Sequence, residues 1–169
     1  MSFFKTLVLS AAMTVASTFV HADEISHLKE NKSSVVAFYN KALNDKDADA
    51  AISMMGPTYT QHNARIADGK EGFRQFITAF KQKYPDSRSK IVRVIAEGDY
   101  VVLHVHMVRE PGTRGEAVVD IFRLADGKIV EHWDVLQQIP EAIPIQTPCF
   151  DVGTNRLPVL VASAFGHFF

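Results

Sequence analysis

Gly115–Gln137 reads GEAVVDIFRLADGKIVEHWDVLQ, and this stretch decides the fold. Two runs rich in Val, Ile, Leu and Phe flank Asp126-Gly127, a dipeptide favoured in tight turns between antiparallel strands. Strand side chains alternate between faces, so Asp120, inside the first run, shares a face with Val118 and Phe122. An ionised carboxylate in an apolar wall is costly unless it is paired or hydrogen-bonded. A carboxyl held there has a raised pKa, the property from which proteins make general acids and bases. The returning run carries a second polar cluster, His132-Trp133-Asp134.

Turn length decides what Asp120 meets. With a two-residue loop, Ala125 pairs with Lys128 and Asp120 faces Trp133. With a three-residue loop and Gly127 as a left-handed bulge, Leu124 pairs with Lys128, Asp120 faces His132, and Val118 faces Asp134. The second register also sets Arg123 near Glu131 as an ion pair on the other face, and it is preferred for that reason.

Working outward, two further strands are predicted at about Lys90–Ala96 and Tyr100–Arg109, turning at Glu97-Gly98-Asp99. A brief strand is expected at Thr58–Asn63. Helical spacing follows the polar segment Asp23–Lys32, with Val35, Tyr39, Ala42 and Leu43 on one face. A short helix starts at Asp47 and is expected to stop at Gly56-Pro57. A third carries Phe73, Phe76, Ile77, Phe80 and Tyr84 on one side. The order ααβαββββ predicts an α+β domain over 23–141, helices packed on one face of an antiparallel sheet. Both faces of Tyr100–Arg109 are apolar or aromatic, so a second subunit is expected to cover the face the helices leave open.

The start of the chain reads as a secretory signal. Lys5 precedes the apolar run Thr6–Val20, and Val20-His21-Ala22 predicts cleavage after Ala22, hence a periplasmic or secreted protein. Residues 142–169 form an atypical tail ending in LPVLVASAFGHFF, too short to span a bilayer. A net charge of −1 gives no reason to expect nucleic acid or an anionic membrane as partner. One cysteine, Cys149, excludes an intrachain disulfide. Glycine-rich phosphate loops and nucleophilic serine or thiol motifs are missing from the sequence.

Three groups of residues can carry chemistry. Asp120 is the candidate general base or acid, with His132 and His62 as catalytic partners. Tyr59, Gln61 and Asn63 around His62 suit orientation of a carbonyl or hydroxyl group, with Trp133 and Asp134 as further binding candidates. His104 and His106, two apart on one strand, are cavity candidates and also half of a possible metal site, to which His62, His132 or Asp120 could add a third ligand.

The motifs YTQHN at 59–63, DGKEGF at 68–73 and VDIFRLADGKIVEHWDVLQ at 119–137 resemble the SnoaL-like polyketide cyclase family, in its branch of predicted aldol-condensation enzymes. That family lies in the nuclear-transport-factor-2-like and ketosteroid-isomerase-like superfamily. The resemblance covers about Ser33–Glu141. It implies a curved antiparallel sheet around helices, a conical pocket and a homodimer. The family's acid on the penultimate strand would fall on Asp120, with His62, His104, His106 and His132 as pocket candidates. It also implies proton abstraction beside a carbonyl without metal or organic cofactor, on a small apolar carbonyl or aromatic ligand. The fold also serves plain ligand-binding modules, so a non-catalytic binder and a metal enzyme built on His104/His106 stand as alternatives.

Overall fold

A computed structural model describes residues 23–140 and 149–150. The expected signal segment and nearly all of the tail lie outside the described residues. Helix α1 covers 23–39 and ends in a π-helical turn, Asn40–Asn44. There follow α2 (Ala48–Ser53), β1 (Met55–Gln61), α3 (Gly69–Lys83), β2 (Arg88–Glu97), β3 (Tyr100–Val108), β4 (Glu116–Ala125) and β5 (Lys128–Gln138). The five strands form one curved sheet in the order β1-β5-β4-β3-β2. The α+β class and element order are those the sequence predicts.

Three details of these elements differ from expectation. Helix α1 already includes the polar segment 23–32, because Asn31 is buried there and its Nδ2 donates to the Gly98 carbonyl, docking that half on the β2–β3 turn. Gly56 and Pro57 lie inside β1 rather than after a helix. Proline is tolerated there because β1 is an edge strand. The sheet is not wholly antiparallel, since β1 runs parallel to β5.

The third helix is capped by Asp68, whose carboxylate accepts from the Gly69 N–H and also from the Gln61 backbone N–H at 2.7 Å. This ties the start of α3 to the end of β1. Phe73, Ile77 and Phe80 of α3 meet Val35, Phe38 and Tyr39 of α1 over the inner face of the sheet, formed by Leu103, Val105, Val118 and Phe122. The outer face carries exposed Ile95, Tyr100, Val119 and Val135.

Neither expected register of the β4–β5 hairpin is adopted. Asp126 and Gly127, with φ of 50° and 70°, make a two-residue turn, and Ala125 pairs with Lys128. The pairing then slips between Leu124↔Ile129 and Arg123↔Glu131, leaving Val130 as an extra residue. Beyond this bulge Phe122 pairs with His132 and Asp120 with Asp134. A bulge changes which alternate residues face inward. Before it, Ile129 points into the core; after it, the inward positions are His132, Asp134, Leu136 and Gln138. Gly56 makes room for the bulge, because a Cβ there would lie 2.6 Å from Val130 Cγ1.

Candidate functional site

Between the helices and the inner face lies a cavity of about 1110 Å³. Asp120 forms part of its wall, 5% exposed, in the middle of β4. His132 Nε2 stands 3.1 Å from Asp120 Oδ1, a diagonal contact made possible by the bulge. Asp120 Oδ2 is buried without a hydrogen-bond partner among the described residues. Burial pushes the Asp120 carboxyl above the usual carboxylate range, and the contact with His132 only partly opposes this.

The proton inventory of this pair follows from its neighbours. Gln61 Oε1 accepts the Asn63 backbone N–H at 2.9 Å, and Gln61 Nε2 donates to the Tyr59 hydroxyl at 3.0 Å. A backbone N–H can only donate, so the amide orientation is fixed, and the atom 3.1 Å from His132 Nδ1 is an acceptor. His132 therefore carries a proton on Nδ1, and Nε2 is the atom turned to Asp120. One further proton bridges the pair, residing on Oδ1 with a neutral imidazole or on Nε2 with a carboxylate. Asp120 and His132 together form a dyad able to take up or release a proton at the cavity.

Asp134 lies on the same wall, with both oxygens 2.8 Å from Asn63 Nδ2. Ligand atoms of Asp120, His132 and Asp134 lie within 4.8 Å of one another, so these three could hold a divalent cation. In the arrangement described they are instead engaged with one another and with Gln61 and Asn63. Two tyrosines complete the site. Tyr59 and Tyr39 line the cavity, and burial foremost, then the Asp120 charge, keep both phenols protonated far into the alkaline range. The Tyr39 hydroxyl, close to Ser89, makes no hydrogen bond of normal geometry among the described residues. Sequence reasoning missed Tyr39, which reads as one more member of the α1 core stripe. A hydroxyl on an otherwise apolar buried stripe was the available signal.

The remaining candidates are placed elsewhere. His104 and His106 point to the outer face, where both rings stack on Phe150 at 4.8 and 4.7 Å. His104 Nδ1 accepts from Arg93, and His106 Nε2 donates to the Arg114 carbonyl. They do not line the cavity, and the sheet separates them from Asp120 and His132. Alternation along β3 puts them opposite Leu103 and Val105. Trp133 also faces outward, stacked parallel to the His62 ring at 4.5 Å. His62 stands at the cavity rim and bonds Glu131 Oε1 at 2.8 Å. Glu131 is held below the usual carboxylate range by that bond first and by Arg123 second. The expected Arg123–Glu131 pair is present, at 2.6 Å.

Comparison with known proteins agrees with this architecture. A family model described as a SnoaL-like domain matches residues 35–132. Among solved structures, TsrD from Streptomyces laurentii is 23% identical, with 62% of this chain and 89% of that chain covered and a TM-score of 0.53. An uncharacterized cystatin fold protein from Novosphingobium aromaticivorans is 24% identical over 62% of this chain and 97% of its own, at 0.55. A putative polyketide cyclase from Bacillus cereus ATCC 10987 is 19% identical over 63% of this chain and 74% of its own, at 0.56. At these identities the likeness is one of fold. Among curated proteins, none matches the sequence. The family model covers more than half of the chain, from α1 to the histidine of the dyad, and the chain belongs to the SnoaL-like domain family.

Proposed function

We propose that this protein is a cofactor-free acid–base enzyme acting on a small apolar carbonyl compound, in the manner of an aldol cyclase or an isomerase. The observation that carries this reading is Asp120 Oδ2, a buried carboxyl oxygen without a partner on a cavity wall, backed by a histidine whose tautomer is fixed. In the microstate with a proton on each nitrogen of His132, Asp120 is a carboxylate. Its Oδ2 takes the proton from a carbon beside the substrate carbonyl as that C–H bond breaks. The electron pair moves to the carbonyl oxygen, where a protonated phenol such as Tyr39 donates a hydrogen bond to the enolate. Carbon attack on a second carbonyl then forms the C–C bond, and the new alkoxide recovers the proton from Asp120. In an isomerase the proton returns to a different carbon instead.

The family's cyclase members and the polyketide cyclase name of a structural neighbour support the substrate class. Two further proposals accompany this one. The sequence of the first 22 residues supports export to the periplasm or medium. The apolar side chains exposed on the outer face support a homodimer.

The test is hydrogen–deuterium exchange followed by NMR. The protein is incubated in D₂O with a panel of ketones and dicarbonyl compounds, with and without a chelator, beside an Asp120→Asn variant. Exchange accelerated by the wild type, unchanged by chelator and reduced about 10²- to 10⁴-fold in the variant is the expected result. Exchange abolished by the chelator would instead make Asp120, His132 and Asp134 a metal triad. No acceleration over a broad panel would leave the cavity as a ligand-binding module.

A further inference from the structure

The cavity has a second polar feature that the acid–base chemistry does not use. Arg109 follows β3 and lines the cavity at the end away from the β4–β5 turn. Its Nε donates to Glu116 Oε2 at 2.8 Å, its sole hydrogen bond among the described residues. The guanidinium carbon lies 5.6 Å from the Phe80 ring centre and 5.7 Å from that of Tyr84. Glu116, itself 7% exposed, is held from its other oxygen by Gln138. The arginine is thus fixed at one nitrogen and packed against two aromatic faces. Its two terminal nitrogens remain available, on a side chain 28% exposed.

We infer that Arg109 is a carboxylate-recognition site, and that the substrate of this cavity is an acidic ketone rather than a neutral one. A guanidinium offers five N–H donors in a rigid fork, and its two terminal nitrogens match the two oxygens of a carboxylate. Pre-organisation by Glu116, Phe80 and Tyr84 lowers the ordering cost of that bidentate contact. The nearby acids do not occupy the two terminal nitrogens: Glu116 takes the Nε donor and is held by Gln138, and Asp134 is held by Asn63.

The spacing limits the ligand. Glu116 and Asp120 lie on one face of β4, four residues and so roughly 13 Å apart. Arg109 reaches from the Glu116 end, and Tyr39 lies within the electrostatic influence of both Arg109 and Asp120. A ligand anchored at Arg109 therefore reaches the dyad when several bonds separate its carboxylate from its ketone. This inference rests on the proposed function for the ketone, while the anion contact itself requires no turnover.

The probes are benzoylbutyrate and benzoylpentanoate against their methyl esters, which keep the ketone, ring and chain and remove the charge. Binding is measured by calorimetry and exchange at the carbon beside the ketone by NMR. The wild type should bind the acids at least about tenfold more tightly than the esters. The double variant Arg109→Gln/Glu116→Gln, which removes both charges together and leaves no buried acid unpaired, should bind acid and ester alike. Arg109→Lys should retain only part of the preference, because a point charge replaces the fork. Equal binding of acid and ester by the wild type, a preference that survives in the double variant, or binding of neither class would overturn the inference. Tight acid binding without accelerated exchange would uphold the anion site and remove the acid–base chemistry.

Discussion

Asp120 is under two opposing demands, because the burial that raises its pKa also disfavours the charged form it needs as a base. The folded protein holds its proton more tightly than the unfolded chain does. Stability from this group therefore falls as pH rises above the unfolded carboxyl value, about 3.9, and the loss is complete once pH exceeds the folded value. Asp120→Asn keeps the shape and removes the ionisation. Its melting temperature should exceed the wild type's at neutral pH, with the difference closing near about pH 3, where both side chains are neutral. Calorimetry at the two pH values decides this. A variant that melts lower at neutral pH would mean that the ion pair with His132 outweighs the burial cost. Asp120 was legible in the sequence because an acid among Val, Ile and Phe breaks a strand pattern. Tyr39 was not, since a tyrosine in a helical stripe has the same spacing whether its hydroxyl is used or only packed.

The hairpin of β4 and β5 shows where sequence reading loses its hold at the scale of elements. Strand positions and the Asp-Gly turn were readable, because both rest on local residue preferences. The register was not, because the bulge depends on contact between distant segments: Val130 fits only where Gly56 of β1 leaves space. Its local trace is that two consecutive residues, Ile129 and Val130, are both buried. Deleting Val130 removes the extra residue but leaves the pairs Arg123↔Glu131, Phe122↔His132 and Asp120↔Asp134 unchanged. Ile129, Glu131 and His132 should then alternate strictly, and His132 and Asp134 should still face the cavity, with Trp133 outside. Because Trp133 is the single tryptophan, its fluorescence reports the face it occupies. The deletion variant should keep the wild-type emission and the accelerated exchange. Blue-shifted emission with loss of exchange would show that the strand changes register and that the bulge itself sets the site.

For the whole molecule, the proposed dimer rests on the outer face of the sheet. Ile95 and Val135 are 59% and 67% exposed there, and Tyr100 of β3 lies near Trp133. Sedimentation at micromolar concentration should give a dimer, and Val135→Lys, which places a charge in the patch, should give a monomer with its fold intact. A wild-type monomer under the same conditions removes the dimer proposal. The face is not uniformly open, however. Phe150, 5% exposed, lies on His104 and His106, whose strand neighbours are Val119 and Ala117. The chain thus shields its own sheet around His104 and His106 of β3. The uncovered part lies toward the turns at 97–99 and 126–127 and along β5, around Ile95, Tyr100, Trp133 and Val135. A symmetric pair joined through this face would have its two-fold axis displaced toward those turns, not centred on the sheet. The two cavities would then be set farther apart, each opening independently, with neither subunit contributing to the other's chemistry.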